Sequence, residues 1–161
     1  MLDFSLPYYG VLMLREHPEE TLPAALPQGF SFCGWKPGME TEELPANMLF
    51  VRSLEGEIIG TASLWKGACF GEPRYRIHWV AVDGRYEGRG IGKAMLARLC
   101  AQWDGLHCPK PLYLATQTWS WQAISLYARF GFRPYLGPQP VNWKTKRPDV
   151  PFAEENRAAW E

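Results

Sequence analysis

No stretch of about 18 apolar residues occurs in this 161-residue chain, so a membrane-spanning helix is not expected. The opening MLDFSLPYYG has no basic segment followed by an apolar one and does not read as a secretory leader. Neither sign of charge dominates. The 17 Lys and Arg balance the 17 Asp and Glu, which argues against a nucleic-acid binder, since that would need a basic stripe to meet phosphates. Repeats, charge blocks and low-complexity segments are absent. The four cysteines, Cys33, Cys69, Cys100 and Cys108, match no zinc-ligand spacing, so no metal is expected. Cys100 falls on an apolar helix face, where a thiol acts as a small hydrophobe. The set reads as reduced thiols in a cytoplasmic compartment. A catalytic cysteine is the other option, and no neighbouring pattern supports it.

What the chain does have is aromatic surface, glycine and clear periodicity. Eight tryptophans supply large contact areas, most of them for a core and some for a pocket or interface. The length suits one domain, residues 1–161, with a substantial core. Short apolar runs bounded by turn residues read as strands: Tyr8 to Leu14, Phe30 to Trp35, Met48 to Arg52, Ile58 to Trp65, Tyr75 to Val82, Leu112 to Thr116 and Phe132 to Leu136. Leu54-Glu55-Gly56-Glu57 joins two of them as a hairpin. From Ile91 onward, Ile91, Met95, Leu99 and Trp103 recur at steps of four, with Ala94, Leu96 and Cys100 beside them. Lys93, Arg98 and Gln102 take other faces, which predicts an amphipathic helix of about four turns packed on a sheet. A second helix is expected over Trp121 to Phe130, with Ser120 as its N-cap and Gly131 in the left-handed position at its end. The order is strands, then strand–helix–strand–helix–strand. It predicts a mixed α/β sheet with helices on its faces.

Between the Tyr75–Val82 strand and the first helix stands GRYEGRGIG, residues 84–92. Glycine lets an anion approach main-chain N–H groups, and a helix N-terminus offers unpaired donors and a positive dipole end. Strand, glycine turn and helix start together make a place for phosphate oxygens. Known phosphate loops fit poorly. Gly92-Lys93 is followed by Ala94 rather than Ser or Thr, and the spacing G-x-G-x-x-G is missing. The plain alternative is a tight turn that lets helix and strand pack closely.

Two motifs sharpen the choice. Arg85-x-x-Gly88-x-Gly90, directly after an apolar strand, resembles the pyrophosphate-binding motif of the GNAT superfamily of N-acetyltransferases. Downstream, AISLYARFGF from Ala123 to Phe132 is similar to that family's penultimate helix and the Gly-Phe that ends it, at the separation usual in the family. The resemblance spans about residues 48 to 136. RIHWVAV and ATQTWSWQAISLY look nearest to small, uncharacterised bacterial members. It implies an α/β fold with a central, mostly antiparallel sheet splayed at its middle strands, helices on both faces, and a shortened first helical region. It also implies acetyl-CoA as co-substrate. Backbone N–H groups from Arg85 through Gly88, Arg89 and Gly90 would hold the pyrophosphate, with Gly92 at the helix start. The backbone of Val80, Ala81 and Val82 would pair with the pantetheine arm like an added strand, beside a bulge. Ser120 would bond the cofactor or serve as a simple N-cap.

The implied reaction passes an acetyl group directly to an amine of a small molecule or peptide. Tyr127 matches the tyrosine that acts as general acid in many members; otherwise it is a helix-face aromatic with a satisfied hydroxyl. His78, on the strand before the expected bulge, would relay a proton from the amine, or is a core histidine satisfied by a neighbour. In the family, two helices between the first strand and the hairpin wall the acceptor site. Here only Lys36 to Asn47 lie between Trp35 and Met48. The acceptor side is therefore open, or closed by the C-terminal tail or by a second subunit, as in a homodimer. Trp119, Trp121, Trp143 and Trp160 are candidates for the wall. The short segment also leaves room for a non-catalytic acyl-CoA-binding or regulatory module with a reduced acceptor site.

Overall fold

Among the described residues, seven β-strands and three α-helices follow the expected mixed α/β order. The computed structural model describes residues 2–18, 23–34, 48–144 and 148–158. Trp35, Trp160 and the short 36–47 segment lie outside them. The strands are β1 (Gly10–Arg15), β2 (Phe30–Cys33), β3 (Met48–Ser53), β4 (Ile58–Gly67), β5 (Arg74–Val82), β6 (Leu112–Gln117) and β7 (Arg133–Pro134). The helices are α1 (Ile91–Gly105), α2 (Trp121–Arg129) and α3 (Phe152–Ala158). The registered strand pairs, β1 with β6 and β7, β2 with β3 and β3 with β4, are all antiparallel. The chain divides into two units, one of residues 1–20, 66–76 and 108–161, the other of residues 21–65 and 77–107.

The second unit carries β2, β3, most of β4 and β5, and α1. Helix α1 buries Ile91, Ala94, Met95, Leu96, Leu99, Cys100 and Trp103, the face that the periodicity marks. It packs tightly against β4 at Gly60. A Cβ there would stand 3.3 Å from Met95 Sδ and from Val51 Cβ. Gly56 closes the β3–β4 hairpin at a φ of 87°, and Ser53 N–H donates to the Glu57 carbonyl at 2.9 Å.

The first unit places β1 between β6 and β7, with α2 and α3. Leu12, Leu14, Tyr113 and Phe152 form a buried cluster, and Cys69, Phe70, Tyr135 and Trp143 pack on it. One sequence expectation is revised here. The last strand shrinks from Phe132–Leu136 to two residues, since Pro134 has no N–H to donate. The tail, which has no clear sequence pattern, contains α3, whose Glu155 and Asn156 are fully buried. Trp143 packs against Phe152 with ring centroids 5.5 Å apart, so it serves this unit's core.

Candidate functional site

The loop after β5 begins with a short 3-10 turn over Gly84–Tyr86. Asp83 organises it. Its carboxylate accepts from Arg85 N–H at 2.9 Å and from the Arg85 guanidinium at 2.8 Å, while its carbonyl accepts from Tyr86 N–H. Glu57, across the hairpin, meets the same guanidinium at 3.4 Å. The hydrogen bond from Arg85 holds the Asp83 carboxyl below its usual range, and Asp83 in turn raises Arg85. The N–H groups of Arg85 and Tyr86, together with that of Glu87, which donates to the Gly84 carbonyl, are thus committed within the loop. Of the loop residues expected to hold the pyrophosphate, Arg85 thus has its own N–H bonded to Asp83.

Gly88 and Gly90 stand at φ of 75° and 83°, in the left-handed region that other residues enter at a cost. Neither is there for close packing. Among the described residues, a Cβ at either would meet nothing within 4 Å. Gly60 has the packing role instead. Gly90 is the N-cap of α1 and has no side chain to cap with; its carbonyl accepts from Ala94 N–H at 3.0 Å. The N–H groups of Ile91, Gly92 and Lys93 precede that first bond, as at any helix start. The outcome is an open turn under a run of main-chain donors at the positive end of a 15-residue helix. The Arg89 guanidinium lies over the Tyr86 ring at 5.2 Å, and its side chain lines a separate cavity of about 430 Å³ with Phe30, Ser53 and Tyr86.

The expected irregularity in β5 is at Trp79, whose φ is 52°. Successive strand residues normally point to opposite faces. Here the Trp79 indole instead stacks on the His78 imidazole, with centroids 4.8 Å apart and planes 25° apart. Trp65 of β4 lies 5.6 Å from His78 and 4.7 Å from Trp79. The His78 carbonyl accepts from the Ser63 hydroxyl at 2.8 Å, which fixes the strand just ahead of the distortion. Val80, Ala81 and Val82 follow and complete β5. Sequence patterning does not mark Trp65 and Trp79 as site residues; the only signal is the expectation of a bulge.

In the other unit, Tyr127 lies on the inner face of α2 beside Ile124 and is 7% exposed. Its ring meets Phe132 edge-on at 6.1 Å. Burial pushes its hydroxyl up to about 12, well above an ordinary phenol. The helix ends as expected: Gly131 has a φ of 82°, and Phe132 N–H returns to the Tyr127 carbonyl at 3.2 Å. Ser120 occupies the N-cap position, but its hydroxyl makes no capping bond. It accepts from Gln117 Nε2 at 3.0 Å instead, so the simple N-cap reading is set aside. Of the candidate residues, His78, Val80, Ala81, Val82, Arg85, Gly88, Arg89, Gly90 and Gly92 fall in one unit, and Ser120 and Tyr127 in the other. Among the described residues, no cluster of three His, Cys, Asp or Glu side chains could hold a metal ion, and no helix is long and apolar enough to cross a membrane.

The model of the acetyltransferase (GNAT) family matches residues 11–132. A spermine/spermidine N(1)-acetyltransferase from Bacillus subtilis is 42% identical over 52 residues, 32% of this chain and 34% of that protein. The N-alpha-acetyltransferase RimI from Mycobacterium tuberculosis is 30% identical over 101 residues, 62% of this chain and 61% of that protein. The matched stretches thus span about a third and about three-fifths of these relatives' lengths. Among solved structures, a GCN5-related N-acetyltransferase from Sphaerobacter thermophilus superposes with a TM-score of 0.61 at 19% identity, over 80% of this chain and 49% of that one. An acetyltransferase of the GNAT family from Novosphingobium aromaticivorans gives 0.54 at 18% identity, over 81% and 62%. These two likenesses concern the fold.

Proposed function

Because the chain belongs to the GNAT family of acetyltransferases, we propose that it transfers an acetyl group from acetyl-CoA directly to an amine of a small molecule or peptide. The observation that carries this reading is the Gly88–Gly90 turn. Its two left-handed glycines face open space where a Cβ would sit, directly before the unpaired N–H groups of α1. That geometry suits a diphosphate: backbone donors without side chains in the way, at a positive helix end. Gly88, Arg89, Gly90 and Gly92 would supply the donors. Arg85 would act by stapling the loop to the hairpin rather than by offering its own N–H. The backbone of Val80 to Val82 would pair with the pantetheine amides, and Ser120 would reach the cofactor through the hydroxyl that Gln117 orients.

The chemistry asks three things of the chain. An alkylamine has a pKa of about 10.4, so its neutral form is scarce at pH 7 by about three powers of ten, a deficit of ~4–5 kcal/mol. His78, half-buried among indole rings, is the group assigned to take that proton. A backbone N–H near Val80, aimed by the distortion at Trp79, would stabilise the oxyanion. Tyr127 would serve the departing sulfur. With its hydroxyl at about 12, full proton transfer to a thiolate of pKa about 8.5 is uphill by ~5 kcal/mol. Its role is therefore to donate a hydrogen bond to the sulfur as charge develops there.

The names of the two curated relatives favour two acceptor classes, a polyamine or a peptide α-amine. Residues 1–161 are read as one domain, since the family match crosses both units, and the four free thiols suit a cytoplasmic setting. A second copy of the chain is the reading's candidate for closing the acceptor side. Calorimetry with acetyl-CoA, followed by release of free CoA with polyamine and peptide acceptors, tests the proposal. Binding plus turnover is expected. No acetyl-CoA binding at millimolar concentration ends it, and binding without turnover on any amine returns the chain to a non-catalytic acyl-CoA-binding role.

A further inference from the structure

We propose that the N-terminal segment 3–9 clasps the turn between β6 and α2, and that Thr118 and Trp119 thereby position Ser120 for acetyl-CoA; the second clause rests on the transferase reading above. The turn, Thr118–Ser120, runs straight into α2. Among the described residues, no side chain makes a capping bond at the start of α2, and no acidic residue stands in its first turn. The local devices that ordinarily fix a helix start are therefore missing. Residues more than a hundred positions away supply the hold.

Thr118 is buried, and its N–H donates to the Tyr9 carbonyl at 3.0 Å. Its hydroxyl accepts from Tyr9 N–H at 3.0 Å and donates to the Pro7 carbonyl. One hydroxyl thus ties the segment on both sides of Tyr8. The Trp119 carbonyl accepts from Asp3 N–H at 2.9 Å, and its indole N–H donates to the Leu6 carbonyl at 2.9 Å. Phe4 and Tyr8 meet the indole edge-on, with ring centroids 4.8 and 4.7 Å away. Asp3 shapes the segment, since its carboxylate accepts from the N–H and the hydroxyl of Ser5. Phe4 to Pro7 are exposed, so core burial does not hold the segment in place. The bonds to the turn do.

The pairing of β1 with β6 ends at Gly10 and Gln117. The segment carries the contact past that ladder and onto the turn. Ser120 follows directly, and its hydroxyl accepts from Gln117 Nε2 at 3.0 Å. It is therefore fixed between a strand end and the clasped Trp119. Because the hydroxyl accepts from Gln117, its own proton is left for an acceptor on the cofactor. A donor placed before the ligand arrives loses less freedom on binding, which raises affinity.

The experiment compares Thr118→Val with Thr118→Ser in the full chain. Valine keeps the shape and loses both hydroxyl bonds, whereas serine keeps them. Amide hydrogen exchange reads the clasp without any cofactor. Exchange over residues 119–124 should be about tenfold faster in Thr118→Val, with α1 unchanged and Thr118→Ser near the unsubstituted chain. If valine disturbs the fold seen by circular dichroism, Trp119→Phe, which loses the indole N–H, should show a smaller local acceleration of about threefold. No local acceleration overturns the clasp.

Calorimetry with acetyl-CoA reads the positioning role. Thr118→Val should bind about tenfold more weakly, and Thr118→Ser should keep the affinity. In a Ser120→Ala background the effect of Thr118→Val should shrink to about twofold, because its route is gone. Faster exchange with unchanged affinity removes the positioning role, and so does an effect that persists in full beside Ser120→Ala. An unsubstituted chain that binds no acetyl-CoA removes the transferase reading and the positioning role with it, while the exchange result still decides the clasp.

Discussion

The Asn156 carboxamide bonds both main-chain groups of Leu12: its Oδ1 accepts the N–H at 2.8 Å, and its Nδ2 donates to the carbonyl at 3.1 Å. A neighbouring strand would make the same pair of bonds. Strand β7 is registered against only Met13 and Leu14 of β1. Beyond it, α3 takes over, with Asn156 at Leu12 and Glu155 Oε1 accepting the Gly10 N–H at 2.7 Å. The helix thus finishes a sheet edge that the two-residue strand leaves open.

Asn156→Ala should therefore be costly. It strands the Leu12 N–H in a buried position and removes donors to the Leu12 and Tyr135 carbonyls. An unsatisfied buried group costs about 1–3 kcal/mol, so a loss of roughly 2–5 kcal/mol is expected in urea unfolding. A change within about 0.5 kcal/mol would show that water substitutes for the carboxamide.

Gly88→Asn separates the backbone role of the glycine from its openness. Asparagine tolerates the left-handed region better than other non-glycine residues, so stability should fall by about 1 kcal/mol or less. Its side chain would nevertheless stand in the space now empty around the turn. Acetyl-CoA affinity should drop at least tenfold by calorimetry, about 1.4 kcal/mol. Unchanged affinity would place the diphosphate elsewhere.

The loop and α1 are legible from residues because periodicity and glycine spacing are local signals. Ile91, Met95, Leu99 and Trp103 follow from a helical repeat alone, and all are buried. What the sequence conceals depends on distant partners. Asn156 gains meaning from Leu12, more than a hundred residues away, and from the Tyr135 carbonyl. Ser120 stands where a cap is favoured, but Gln117 claims its hydroxyl. The stack of His78 on Trp79 contradicts strand alternation, and no residue pattern announces a left-handed tryptophan. Glycines that look alike in sequence also play different parts. Gly60 makes room for Met95, while Gly88 and Gly90 border open space.

Trp79→Gly and Trp79→Ala should rank in an unusual order. Within a strand, glycine is ordinarily worse than alanine by about 0.5–1 kcal/mol. At a φ of 52° the Cβ is the liability, so Trp79→Gly should be the more stable of the two by about 1 kcal/mol. Thermal unfolding of the pair reads this directly. The ordinary order would mean that the strand relaxes to regular geometry once the indole is gone.

Tyr127 ties stability to alkaline pH. The folded chain holds its phenolic proton up to about 12 because ionisation would bury a charge. The unfolded chain releases it near pH 10. Between those values the folded state binds more protons than the unfolded one, so stability falls as pH rises. The contribution is whole below about pH 10 and is lost by about pH 12, a decline of roughly 2–3 kcal/mol in all. Tyr127→Phe should flatten that decline, leaving the smaller slope due to Tyr113, which burial also raises. Ultraviolet titration should show one late-ionising phenol fewer in the variant. The same substitution removes the hydrogen bond proposed for the departing sulfur and should lower turnover about 10- to 100-fold at neutral pH, with acetyl-CoA affinity little changed. A flattened alkaline slope with full turnover would leave Tyr127 as a buried core residue and hand the leaving group to another donor.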